Sequence, residues 1–142
     1  MSIKQISVFL ENKPGTLREM TDLLSRHNVD LRALSLAETK DFGIARLIAD
    51  DVLGAMNVLR EGGFIAKLTP VLAYEVPDEP GGLTRLLDKF SEAGVNIEYM
   101  YSFLGSAGEK KAYMLFRATD TEKAEADLAR LGLKSALQEN FD

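Results

Sequence analysis

Pro14-Gly15 and Pro80-Gly81 are the points in this 142-residue chain where residue types and spacing could do chemistry. Each pair precedes a run of helically spaced apolar residues, and proline suits the first turn of a helix. A helix opening there presents unpaired backbone N–H groups, with the positive end of its dipole behind them, as a receptor for a carboxylate. Glycine at 15 and 81 lets a ligand approach the backbone closely. Asn12 can donate to an oxygen and accept from an ammonium. Asp30, at the start of the second expected strand, offers a negative charge to the same ammonium. A zwitterion, meaning an amino acid, is the simplest ligand that satisfies both ends. Met once, the pattern reads more simply as a helix-start turn with Asn12 or Asp78 as its cap. It is met twice, with the same 16-residue gap from Pro14 to Asp30 and from Pro80 to Asn96, and the duplication weakens the turn-only reading.

The remaining inventory excludes most other chemistry. Zero cysteines remove disulfides, thiolate zinc sites, iron–sulfur ligation and cysteine nucleophiles together. The one histidine, His27, forbids any metal site or acid–base pair built on two histidines within a chain. It ends the apolar stripe of an expected helix, where packing or capping explains it better than catalysis. Asp50-Asp51 reads as helix capping, Glu109-Lys110-Lys111 as a solvated hairpin tip, and Arg46 and Arg117 as charges exposed at a sheet edge. No phosphate-cradling glycine loop, paired-carboxylate signature or nucleophile elbow is present. The expectation is a protein without catalytic residues, metal or cofactor.

Net charge is −5, and it resides after residue 69: residues 1–69 hold 9 Lys/Arg and 9 Asp/Glu, the remainder 8 and 13. That sign argues against nucleic acid as a partner, as does the placement of Tyr113 and Phe116 on opposite faces of one strand. No apolar run approaches 18 residues, and Met1-Ser2-Ile3-Lys4-Gln5 lacks a basic segment followed by an apolar core. The expectation is therefore no membrane partner and a cytoplasmic location. With 46% hydrophobic and 27% charged residues, the chain can bury a packed core.

The elements that must position the Pro-Gly loops come as a tandem repeat. Glu11-Asn12-Lys13-Pro14-Gly15-Thr16-Leu17 reappears 66 residues later as Pro77-Asp78-Glu79-Pro80-Gly81-Gly82-Leu83, and Asn28-Val29-Asp30-Leu31 as Gly94-Val95-Asn96-Ile97. Further on the offset grows to 69, with the extra length assigned to the turn Gly105-Ser106-Ala107-Gly108. The repeats are expected at 1–69 and 70–142. In the first, Ile6, Val8 and Leu10 alternate as a strand, while Leu17, Met20, Leu24 and His27 make a helical stripe. Strands over Leu31–Glu38 and Gly43–Ala49, a helix striped by Val52, Met56 and Leu59 and stopped at Gly62-Gly63, and a strand over Phe64–Thr69 complete it. The second repeats the order, closing with a strand over Leu133–Glu139. Each unit is βαββαβ, so the expected class is α+β with two ferredoxin-like repeats and antiparallel sheets. That arrangement alone names no function.

Asn-Lys-Pro-Gly-Thr-Leu followed by Asn-Val-Asp-Leu resembles the ACT domain, and Asp-Glu-Pro-Gly-Gly-Leu with Gly-Val-Asn-Ile resembles a second copy. The resemblance spans essentially the whole chain. It implies a regulatory module that binds amino acids at interfaces between paired ACT domains. In members such as the serine-inhibited phosphoglycerate dehydrogenase, ligand contacts come from a His-x-Asn before Pro-Gly and from the Asn of Gly-Val-Asn. Carried over, Asn12 matches the first Asn, Leu10 stands in place of the His, and Asp30 and Asn96 match the second Asn. In the second copy Val76 and Asp78 replace His and Asn, and Asp78 with Glu79 repels a carboxylate. The implied ligand-binding set is Leu10, Asn12, Pro14, Gly15, Asp30 and Asn96. The resemblance implies a sensor or regulator acting in trans on amino-acid metabolism. The alternative is an interaction subunit of a biosynthetic enzyme, similar to the small subunit of acetolactate synthase.

Two further expectations concern packing. In the strand order 4-1-3-2, pairing the repeats of one chain through their second strands would leave ~29 Å between strand four and the next strand one. Thr69-Pro70 reaches only ~7 Å, so side-by-side pairing falls to another chain, as a homodimer, and the repeats join along Phe64 to Val76 or by sheet faces. Tyr99, Tyr101 and Phe103 share one side of a strand, with Met100 and Leu104 on the other, so neither side is expected to face water.

Overall fold

The computed structural model describes residues 2–38, 41–103 and 111–136. The chain divides into two compact units, one of Lys4–Thr69 and the other built from Pro70 onward together with Ile3.

In the first unit, β1 (Ile3–Glu11), α1 (Thr16–Arg26), β2 (Leu31–Glu38), β3 (Phe42–Ala49), α2 (Val52–Glu61) and the start of β4 (Ile65–Pro77) follow one another. The sheet order is β2-β3-β1-β4, with antiparallel registers that set Ile6 opposite Leu47 and Leu47 opposite Leu34. Ile6, Val8 and Leu10 alternate inward and meet Met20 and Leu24 of α1 and Ala55, Met56 and Leu59 of α2 in one core. The opposite sheet face is buried as well at Gln5, Ser7, Ala33 and Ile48. There the Gln5 amide donates to Ser7 Oγ, and Ser7 Oγ meets Thr69 Oγ1 at 3.0 Å.

The second unit carries the rest of β4, then α3 (Gly82–Glu92), β5 (Ile97–Ser102), β6 (Lys111–Ala118) and α4 (Thr121–Arg130), in sheet order β4-β6-β5. Leu72, Tyr74 and Val76 pack on Leu86 and Phe90 of α3 and on Ala124 and Leu128 of α4. Tyr74, Phe90 and Phe116 interlock edge-on and tilted, with centroids 4.6–6.2 Å apart. The fold is α+β, two ferredoxin-like units of antiparallel strands.

Four expectations need correction. The strand ending at Thr69 and the one beginning at Leu72 are a single 13-residue β4 that runs through Pro70. Proline's fixed φ suits extended chain, and the Pro70 carbonyl accepts from Arg117 Nη1 at 2.9 Å. Arg46 and Arg117 do not sit on edges, because β3 and β6 each lie between two strands. Arg117 also donates to Thr121 Oγ1 and pairs with Glu98. His27 leaves the apolar stripe because α1 ends at Arg26; it is exposed at the C-cap, its Nδ1 3.0 Å from the Leu23 carbonyl. Residues 133–136 carry no strand, although the Ala136 N–H donates to the Ala73 carbonyl along β4. The rest of the expected closing strand, the turn at Gly105–Gly108, Leu104, and Glu109 and Lys110 lie outside the described residues.

The aromatic strand behaves as expected. Tyr101 is buried, Tyr99 and Phe103 are half-buried, and Tyr99 stacks on Tyr101 at 6.5 Å. Met100 packs on the helix side.

Candidate functional site

β1 runs out at Glu11 and the chain turns through Asn12, Lys13, Pro14 and Gly15 into α1. Gly15 is the N-cap residue in the left-handed region, φ 91, a conformation that favours glycine. A β-carbon built there would meet nothing within 4 Å, so the turn is open to solvent. Among the described residues no side chain caps α1, and none caps α3 at Gly81, φ 86. This removes the simpler reading of Asn12 and Asp78 as caps. The other helix of each unit is capped in the ordinary way: Asp51 accepts from the Gly54 N–H at 3.0 Å, and Asp120 from the Lys123 N–H at 3.1 Å.

The first loop is held in shape by its own groups. Thr16 Oγ1 donates to the Glu11 carbonyl at 2.8 Å and lies 3.1 Å from that of Lys13. The Asn12 N–H donates to the Asp41 carbonyl, and Lys13 pairs with Glu11 at 3.1 Å. The Asn12 side chain stands exposed beside a cleft of about 140 Å³ that Leu10, Gly15, Leu17, Leu36 and Gly43 also line. Pockets for drug-sized molecules run to ~300–1,000 Å³; this one suits a small polar head. Leu10, Asn12, Pro14 and Gly15 are thus brought together at the start of α1. Thr16, Leu36 and Gly43 belong to the same site and were not singled out by sequence reasoning. The position shared by Thr16 and Gly82 in the repeat was the available signal.

Asp30 is not brought there by its own unit. The 11 residues of α1 rise ~16 Å and deliver Asp30 to the opposite end of the sheet. Its carboxylate pairs with Arg32 at 3.1 Å, and its N–H donates to Asp50 Oδ1. Asn96 occupies the same place in the second unit, likewise one helix away from Pro80-Gly81. Its Nδ2 donates to Thr119 Oγ1 at 3.1 Å, on the wall of a cleft of about 190 Å³ that Asp120, Lys123 and Asp127 complete. Lys123 hydrogen-bonds Asp127 at 2.7 Å and holds its carboxyl below the usual aspartate range.

Among the described residues, no three His, Cys, Asp or Glu converge in a way that could hold a metal ion. No described helix is long and apolar enough to cross a membrane.

Over 99% of its length, and 96% of the other chain, the protein is similar to protein BT0572 from Bacteroides thetaiotaomicron, with 36% identity and a TM-score of 0.89. The regulatory subunit of aspartate kinase from Thermus thermophilus shares the fold at 16% identity and a TM-score of 0.66, over 93% of this chain and 92% of that one. The corresponding subunit from Thermus flavus does so at 15% and 0.60, each chain covered to 92%. No curated protein matches the sequence. Residues 1–140 match the family model described as an ACT domain pair, and the chain belongs to the ACT domain family as such a pair.

Proposed function

We propose that the protein is a non-catalytic sensor or regulator that binds a small amino acid and acts in trans on amino-acid metabolism. The observation that carries this is the uncapped start of α1, opened by Gly15, with the Asn12 side chain beside its cleft. A carboxylate seated on the first N–H groups of α1 completes their hydrogen bonding and lies at the positive end of the helix dipole. Asn12 fixes its orientation. The ligand's ammonium needs an acceptor, and the Asp30 carboxylate, or alternatively the neutral amide oxygen of Asn96, supplies it from an ACT domain of another copy. Because α1 separates Asp30 from the cleft in its own unit, the simplest source is a second copy of the chain, which makes the working assembly a homodimer. The resemblance of the chain's fold to regulatory subunits of aspartate kinase supports a role beside an enzyme rather than as one. The partners are then an amino acid, a second copy and a metabolic enzyme, with no nucleic acid or membrane.

The test is a thermal-shift screen of the twenty amino acids. A ligand at 100 times its Kd stabilises the folded form by ~2.7 kcal/mol, a rise of ~5–10 °C in Tm for a domain of this size. Asp30→Ala is expected to shrink that rise, and light scattering is expected to show a dimer. Leu34, Leu36 and Leu53 are exposed, which favours a docking role as the second reading. If no amino acid shifts the melt, the interaction-subunit role takes the lead.

A further inference from the structure

A larger cleft, of about 330 Å³, flanks the same loop on its other side, and its walls lie wholly within the first unit. It shares Leu10, Glu11, Lys13 and Thr16 with the small cleft beside Asn12. Its other walls are Glu19, Gly62 and Gly63 and four large apolar side chains, Phe9, Phe42, Phe64 and Ile65. Phe64 is anchored in the core of the unit, whereas Phe9, Phe42 and Ile65 are 39%, 53% and 70% exposed. Leaving two phenylalanines and an isoleucine this wet is costly, at ~25 cal/mol for each Å² of apolar surface.

The repeat shows that the fold does not require them. At the repeat offsets, 66 residues for β1 and 69 beyond the hairpin, Phe9, Phe42 and Ile65 correspond to Glu75, Lys111 and Lys134. The registers agree, since Glu11 faces Phe42 in the first unit as Pro77 faces Lys111 in the second. The second unit therefore places charges at three positions where the first places an aromatic and aliphatic wall. Only the wall borders an open helix start.

We infer that this cleft receives the side chain of the bound amino acid, so that the protein selects large apolar amino acids, aromatic ones above all. The inference rests on the amino-acid reading above and deepens it. A ligand whose carboxylate sits at Thr16, one of the four residues common to both clefts, projects its side chain toward Phe9, Phe42 and Ile65. The cleft volume falls at the lower end of the ~300–1,000 Å³ band of small-molecule sites, with Glu11, Lys13, Thr16 and Glu19 on its polar side and Phe9, Phe42, Phe64 and Ile65 as its apolar wall. A ring there gains burial and offset contacts with the phenylalanines.

The experiment is calorimetric titration of the full chain with L-phenylalanine, L-leucine, L-serine and glycine. It is repeated on Phe42→Lys and Ile65→Lys, which import residues the second unit already carries. L-Phenylalanine is expected to bind at least ~10-fold more tightly than glycine. Each variant is expected to bring the two within about 2-fold while glycine binding is retained. Phe42→Leu, which keeps an apolar wall, is expected to preserve most of the preference and guards against a folding defect. Equal affinity for glycine and phenylalanine, or a preference that survives both lysine variants, overturns the inference and leaves amino-acid binding standing. Variants that dissociate the dimer without changing the preference also overturn it, and assign the wall to a second copy. If none of the four compounds binds, glycine included, the amino-acid reading itself falls and takes the inference with it.

Discussion

The helix start after Pro14-Gly15 opens onto a cleft, whereas the matching start after Pro80-Gly81 is filled by its own side chains. At Gly81 an added β-carbon would lie 3.2 Å from Arg85 Nη1, and Arg85 is tied to Glu79 at 2.6 Å across the loop. The Gly82 N–H, one of the groups a carboxylate would need, donates instead to the Glu79 carbonyl at 3.0 Å. Gly82 is buried against the Pro77 carbonyl, where the first loop has Thr16 lacing Glu11 and Lys13 together. One backbone plan thus serves two ends. The first copy leaves its helix start beside a cleft, and the second uses the Gly82 N–H and the Arg85–Glu79 pair to hold its own loop together.

The largest expected effect comes from exchanging the residues that distinguish the loops. Gly82→Thr drives a β-carbon into the rigid Pro77 carbonyl and is expected to lower stability by ~2–3 kcal/mol, near the upper end of overpacking costs. The reverse change, Thr16→Gly, gives up the hydroxyl's hydrogen bond to the Glu11 carbonyl at a half-buried site and is expected to cost about 1 kcal/mol. Urea denaturation of the two variants checks the ratio, and equal losses would show that the loops are not built differently.

A second contrast lies in the cores. Val8 of the first unit corresponds to Tyr74 in the second, whose buried hydroxyl has no hydrogen-bond partner among the described residues. Burial, and then the nearby Glu125 carboxylate, push its pKa up. The phenol therefore stays neutral in the folded protein at pH values where the unfolded chain ionises it. Stability from this group is complete below about pH 10, the ordinary tyrosine value, and is lost progressively above it. Tyr74→Phe is expected to be neutral or stabilising by up to ~1–2 kcal/mol at pH 7 and to flatten that alkaline loss. Melts at pH 7 and pH 11 measure both, and a destabilised Tyr74→Phe would mean that the hydroxyl is satisfied.

The smallest difference is expected where the units agree. Asp51→Ala and Asp120→Ala each remove a cap with the same geometry and are expected to cost about 1 kcal/mol apiece. A cost confined to one of them would break the equivalence of the second helices.

Much of this was legible from the chain. The 66-residue offset located both Pro-Gly helix starts and the cores, because periodicity and turn residues are local signals. Other features depended on pairing rather than on neighbours. The alternation at Phe64–Thr69 and at Leu72–Val76 reads as two strands along one stretch, and an extended Pro70 whose carbonyl is taken by Arg117 joins them as β4. Arg46 and Arg117 read as edge charges because sequence does not show which strands lie between others. Within the site, the spacing from Pro14 to Asp30 suggested one constellation, but the intervening helix carries the two to opposite ends of a unit. Leu36 and Gly43 come to the cleft only through the pairing of β2 with β3. The apolar wall at Phe9, Phe42 and Ile65 was visible in principle, by asking where the repeats differ rather than where they match.

The central claim, that the first loop binds the ligand and the second does not, is tested most directly by melting Asn12→Ala and Asp78→Ala side by side. The measurement uses whichever amino acid stabilises the parent protein most. Asn12→Ala is expected to lose most of the ~5–10 °C rise while Asp78→Ala keeps it nearly whole. A rise abolished by Asp78→Ala and untouched by Asn12→Ala would contradict it.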